Sequence, residues 1–210
     1  MCIQNVPLFR GIDEKKVDLD GVKKHYHKGD CVLKEGDQLE KIGIVLSGRV
    51  LLACRDVWGT ASILGSAEAG SVFGEAYACL PGEPLLIDAT AAEETDILFL
   101  NIHQLLSDAQ LTLNLLSICA HRSLELSRRI LHTTPKTIRG RLLSYFSQCA
   151  KLAGSCTFDV PYNRQQLADY LGVDRSALCA ELTKMRHDGL ISFEKNRFTV
   201  HTDSDTVLNP

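Results

Sequence analysis

Apolar residues recur along this chain with two different periods, and the change of period divides it. Up to about residue 102, short apolar runs are separated by regularly spaced glycines at 29, 36, 43, 48, 59, 65, 70, 74 and 82. The runs are Cys31 to Leu33, Ile42 to Leu46, Val50 to Cys54, Ser62 to Leu64 and Ile97 to Leu100. Short strands between regular turns predict an antiparallel barrel or jelly roll over 1–102. From His103 to Leu131 neither Gly nor Pro occurs, and the spacing predicts one unbroken helix. Its apolar residues form two rows. Leu113, Leu116, Ala120, Leu124 and Leu131 make one, and Leu115, Ile118, Cys119, Leu126 and Ile130 the other. A surface helix needs only one apolar row, so the second implies another partner, expected to be a second copy of the chain.

A second helical stretch follows, with Thr134 as N-cap, Pro135 at the first position and Gly154 past its end, which puts a hinge at 132–134. The clearest local pattern lies between Asn163 and Ile191. Asn163 and Gln166 have capping-box spacing, Leu167, Tyr170 and Leu171 share a face, and Gly172 stops the helix. Asp174 caps the next helix, whose Leu178, Leu182 and Met185 recur at helical spacing before Asp188-Gly189 ends it. Arg175, Ser176, Cys179, Ala180 and Lys184 fall outside that apolar row. Leu190 to Phe193 and Phe198 to His201 flank a polar turn and predict a hairpin. Two short helices, a tight turn and a trailing hairpin are the pattern of a winged helix-turn-helix over 133–201. Residues 202–210 read as a flexible tail. The expected fold class is thus α+β.

Charge sharpens this division. Residues 133–201 carry ten Lys and Arg against six Asp and Glu, whereas 1–132 carry thirteen against eighteen, within a net charge of −3. A basic C-terminal half suits phosphate contact, and the modest excess implies salt-sensitive binding by two copies. The eight cysteines include no Cys-x-x-Cys pair, so neither a disulfide scaffold nor a zinc knuckle is expected. No apolar run approaches the ~18 residues of a membrane span and no signal segment opens the chain, so a cytoplasmic location is expected.

The segment HKGDCVLKEGDQLEKIGIVLSGRVLL resembles the opening strands of a cyclic-nucleotide-binding domain, and GSVFGEAYACLPGE resembles its phosphate-binding cassette. With the C-terminal pattern, nearly the whole chain resembles the CRP/FNR family of bacterial transcription regulators. The resemblance implies a homodimer paired through 103–132, a palindromic double-stranded DNA site, RNA polymerase as a partner, and an effector that rotates the DNA-binding domains about the hinge. It assigns base reading to Arg175, Ser176, Cys179 and Ala180, and phosphate contacts to Arg164, Lys184, Lys195 and Arg197. Ala180 stands where relatives usually carry a second Arg, so the half-site should depart from the common TGTGA or TTGAT type.

The effector pocket implied by the resemblance comprises Gly74, Glu75, Ala76, Leu85, Leu86, Cys119, Leu126 and Ser127. Gly74-Glu75 keeps the ribose-binding pair. The Arg-Ser pair that clamps phosphate falls on Leu85-Leu86, and an anion there without a counter-charge costs several kcal/mol, so cyclic AMP is disfavoured. The cofactor, if any, is unknown. Iron–sulfur sensing would need clustered cysteines, yet Cys2 and Cys31 lie far apart. Haem would need an axial ligand such as His103, His121, Cys79 or Cys119. Thiol sensing by Cys31, Cys79 or Cys119 stays open. His25-Tyr26-His27 puts two imidazoles on one strand face, as cupin metal enzymes do, but the next candidate ligand, Glu35, lies beyond a turn, and no metal site is expected.

Overall fold

A computed structural model describes residues 6–12, 20–55 and 61–201. The expected tail 202–210 and Cys2 lie outside the described residues. The chain packs as two units, 1–122 and 123–210.

Among its described residues, unit 1 holds eight strands in two antiparallel sheets: β1 (Val22–Tyr26), β2 (Cys31–Leu33), β3 (Lys41–Ser47), β4 (Arg49–Arg55), β5 (Ala61–Glu68), β6 (Val72–Phe73), β7 (Asp88–Ala91) and β8 (Thr95–Asn101). The strand orders are β1-β8-β3-β6 and β2-β7-β4-β5. The five runs expected from sequence all lie in strands, in a two-sheet roll. β3 is buried on both faces, which is why it reads as a continuous apolar run rather than an alternation. Val45, Phe73, Ile97 and Phe99 meet Val50, Ala67 and Ala89 of the opposite sheet. Ile42, Ile44 and Leu100 meet a second core formed with helices. Gly43 is required here, because a Cβ at that position would lie 2.3 Å from the Phe73 ring.

The helices are α1 (Glu75–Ala78), α2 (Ile102–Leu106), α3 (Ala109–Thr133), α4 (Ile138–Ala153), α5 (Arg164–Leu171) and α6 (Arg175–His187). The expected unbroken helix from His103 to Leu131 is in fact two. Asp108 Oδ1 accepts the Leu111 N–H at 2.8 Å and starts α3 afresh, a local side-chain cap that competes with helix continuation. α3 buries Leu111 and Leu115 in unit 1. Asn114 Nδ2 donates to the carbonyls of Leu8 and Arg10 at 2.8 and 2.9 Å, holding the N-terminal segment against it. No helix among the described residues is long and apolar enough to cross a membrane.

Unit 2 contains the last part of α3, then α4 to α6 and a three-stranded sheet of β9 (Thr157–Asp159), β10 (Ile191–Glu194) and β11 (Arg197–Val200), in the order β10-β11-β9. The expected hairpin is present, with a third strand, β9, that the sequence pattern did not reveal. The start of α4 is also corrected. Thr137, not Thr134, is its N-cap, accepting the Gly140 N–H at 3.0 Å, while the Thr134 hydroxyl donates to the Ile130 carbonyl. Leu142, Phe146, Leu167, Leu178, Leu182, Met185 and Phe198 form the core. At the expected hinge, His132 is 3% exposed and its ring nitrogens face Ser144 Oγ and Gln148 Oε1 of α4.

Candidate nucleic-acid interface and effector residues

Local capping positions α6 for external contact. Asn163 and Gln166 close a reciprocal capping box on α5, and Gly172 ends it at φ 64, a left-handed geometry that suits glycine and sets the turn. Asp174 then accepts the Ala177 N–H at 2.9 Å and starts α6. Leu178, Leu182 and Met185 face the core, which turns Arg175, Ser176, Ala180 and Lys184 outward. Arg175, Ser176, Ala180 and Lys184 are exposed, and Cys179 is half-buried. The Ser176 hydroxyl donates to Asp174, and this bond with the Ala177 amide holds the Asp174 carboxyl below its usual range. Ser176 is therefore engaged locally as well as facing outward.

The cations of unit 2 fall into two groups. Arg129 donates to the Tyr170 and Asp169 carbonyls, and Arg141 to those of Leu171 and Gly172, so both satisfy the C-terminal end of α5. Arg139 pairs with Glu181 at 2.6 Å and Asp188 at 2.7 Å. Arg164, expected at a phosphate, is half-buried and also braces the wing: Nη2 donates to the Lys195 carbonyl at 2.7 Å, and the guanidinium lies over Phe193 and Phe198. By contrast Arg175, Lys184, Lys195 and Arg197 have no side-chain hydrogen bond or ion pair among the described residues, and all four are exposed. Lys195 sits at the tip of the β10–β11 turn with φ 51. Arg175 and Lys195 also line an open groove with Asn163 and Gln165.

In unit 1, Gly74, Glu75 and Ala76 open α1, which packs near α3. Glu75 is 3% exposed and ion-pairs with Arg122, whose other terminal nitrogen donates to the Val72 carbonyl. Arg122 was missed by the sequence reading. Its signal was a cation following Leu115, Ile118 and Cys119 at helical spacing, residues that are buried or half-buried. Cys119 is half-buried beside this pair. Desolvation first, and the nearby Glu75 carboxylate second, push the Cys79 and Cys119 thiols up, which works against reactive thiolates at both. Leu85 is 1% exposed, with its N–H on the Asp37 carbonyl and its own carbonyl receiving the Gly36 N–H. Leu86 is 67% exposed. Leu126 and Ser127 belong to unit 2 and are exposed there.

Comparison with known proteins agrees with these two units. Residues 23–107 match the model of the cyclic nucleotide-binding domain, and residues 140–203 match that of the Crp-like helix-turn-helix domain. The "Probable transcriptional regulator flp" of Lacticaseibacillus casei is 28% identical over 90% of this chain and 89% of its own length. The "Transcriptional activator protein FnrL" of Cereibacter sphaeroides is 34% identical, over 26% of this chain and only 22% of that protein. Among solved structures, the catabolite activator protein of Thermus thermophilus aligns over 93% of both chains with a TM-score of 0.53 and 22% identity. CprK complexed with OCPA aligns over 86% of this chain and 85% of its own, with a TM-score of 0.65 and 18% identity. These two share the fold. With a nucleotide-binding-type roll followed by a Crp-like helix-turn-helix, and a relative matching both along nearly its full length, the chain belongs to the CRP/FNR family of DNA-binding transcription regulators, which are not enzymes.

Proposed function

We propose that the protein is a homodimer that reads a palindromic duplex operator with α6 and answers to an effector other than cyclic AMP. The observation that carries the DNA reading is the outward face of α6, where Arg175 and Lys184 are exposed and unengaged beside Ala180. An Arg fork can take guanine O6 and N7, whereas the Ala180 methyl can only pack against a thymine methyl, so the half-site differs from TGTGA or TTGAT at that base pair. Lys184, Lys195 and Arg197 hold phosphates.

Dimerisation is supported by α3. Leu113, Leu116, Leu124 and Leu131 are 53–65% exposed, and Ala120 is also exposed. Leu113 and Ala120 lie one heptad apart, as do Leu124 and Leu131, a coiled-coil spacing that a second copy would cover. Two recognition helices then lie one DNA turn apart, about 34 Å. RNA polymerase is the further partner that the family implies. Against cyclic AMP, neither Leu85 nor Leu86 supplies a cation, and the cation that faces Glu75, Arg122, is already paired.

Binding-site selection with sedimentation analysis tests this reading. A two-fold symmetric consensus bound by a dimer is expected, with Leu116→Glu giving a monomer of weakened operator affinity. An asymmetric consensus, or dimers unaffected by Leu116→Glu and Leu124→Glu together, contradicts it. Cyclic AMP at 100 times a true dissociation constant would stabilise the fold by about 2.7 kcal/mol. The expected result is no shift in melting temperature with micromolar cyclic AMP.

A further inference from the structure

One cluster in unit 1 lies apart from the Glu75–Arg122 pair. The antiparallel register of β1 with β8 sets His25 opposite Asp96 and Tyr26 opposite Thr95, so Glu94, just before β8, arrives beside the end of β1. The turn that follows is held by two bonds. The His27 N–H donates to Asp30 Oδ2 at 2.8 Å, and the Asp30 N–H donates to the His27 carbonyl at 3.0 Å. The Lys28 N–H reaches Glu94 Oε1 at 3.4 Å, which leaves Oε2 aimed at both imidazoles. Oε2 lies 2.9 Å from His25 Nε2 and 3.0 Å from His27 Nδ1. Asp96 Oδ1 lies 2.9 Å from His25 Nδ1, and Asp96 Oδ2 pairs with Lys23 at 3.1 Å.

We propose that His25 Nε2, His27 Nδ1 and Glu94 Oε2 form a binding site for a first-row divalent cation of the zinc, nickel or copper type, with Asp96 orienting the His25 ring. The three atoms lie within 4.8 Å of one another. A tetrahedral ion with bonds of about 2.0–2.2 Å needs its ligand atoms about 3.3 Å apart, a spacing these exposed side chains reach by small rotations. On binding, the ion replaces the hydrogens that the rings now share with Glu94. Two imidazoles and one carboxylate suit these metals and not calcium or magnesium, which take all-oxygen sites. Asp96 supplies the outer support: a carboxylate on Nδ1–H fixes the tautomer that leaves Nε2 free for the metal. Side-chain exposures of 51%, 75% and 62% give the ion an open path and leave a fourth position for water. The ion would tie the end of β1 to the loop before β8. Glu35, the next glutamate along the chain after His27, is not part of this cluster, whose carboxylate is Glu94.

The test is a zinc titration of metal-stripped full-length protein by calorimetry, with a parallel cobalt(II) titration followed by visible absorption. A single ion per chain is expected, with a cobalt spectrum of nitrogen and oxygen ligation and no thiolate charge-transfer band. His27→Ala and Glu94→Gln should abolish it, Asp96→Asn should weaken it about 10–100-fold, and Cys31→Ser should leave it unchanged. All these side chains except Asp96 are largely exposed, and circular dichroism of each variant checks that folding is intact. Absence of binding, a thiolate band lost in Cys31→Ser, or undiminished zinc affinity in His27→Ala and Glu94→Gln overturns the site.

Discussion

On α6, Arg175 and Lys184 stand exposed without a side-chain partner among the described residues, whereas on α3 Arg122 is closed onto Glu75 and the Val72 carbonyl. The two regions place their cations in opposite states. On the proposed DNA face the charge is left exposed, where a cation costs little to leave solvated and would gain by releasing counterions if phosphate arrived. At Glu75 the charge is met internally, because burying a carboxylate this deeply is costly unless an opposite charge accompanies it. The lesson extends to the basic excess of residues 133–201, since Arg139, Arg141 and Arg164 have structural partners and the effective positive face is smaller than the count suggests.

The contrast can be broken first at Arg122. Arg122→Ala strands the Glu75 carboxylate and should destabilise unit 1 by about 3 kcal/mol, the low end for a broken buried pair because Arg122 is itself 43% exposed. Glu75→Ala leaves a guanidinium that water can reach and should cost roughly 1 kcal/mol. Urea unfolding of both variants measures the asymmetry; equal losses would mean that the pair is held mainly by packing.

At the DNA face, Arg175→Ala should lose about 1–3 kcal/mol of discrimination at one base pair while retaining weak general affinity. Competition binding against single-base operator variants reads this, and a uniform loss across all sequences would reassign Arg175 to the backbone.

A subtler effect separates the free cations from Arg164, which braces the wing. Lys184→Ala, Lys195→Ala and Arg197→Ala should each lower the slope of log affinity against log salt by about 0.9. Arg164→Ala should leave that slope nearly unchanged and lower the melting temperature of the wing instead. A full unit of slope lost with Arg164→Ala would show that its guanidinium turns outward when DNA binds.

The smallest expected effect concerns the cysteines. Since their surroundings push the Cys79 and Cys119 thiols up, both should react with iodoacetamide at neutral pH more slowly than a free thiol. Fast labelling of either, read by mass spectrometry, would revive a thiol sensor in unit 1.

Local physics made much of this molecule legible from its residues. The Asn163-Gln166 box, the Asp174 cap, the Gly172 turn and the Leu178-Leu182-Met185 row each depend on neighbours within a turn or two, and sequence carries such information directly. Even so, two local signals were overlooked: Asp108 as a helix start and Thr137 as the true cap of α4. β9 went unseen because a three-residue strand is stabilised by its pairing with β11 rather than by its own pattern.

The sequence by itself determined the order of the modules, the helix-turn-helix and its outward residues, and that Leu85-Leu86 offers no cation. Tertiary structure alone decided that Arg122 closes on Glu75 across 47 residues, that Arg164 props the wing, and that Glu94 meets His25 across 69. The physical reason is range. Caps and periodicities act between residues close along the chain, whereas the partner of a charged side chain is set by strand register and helix packing, which bring distant positions together only once the cores have formed.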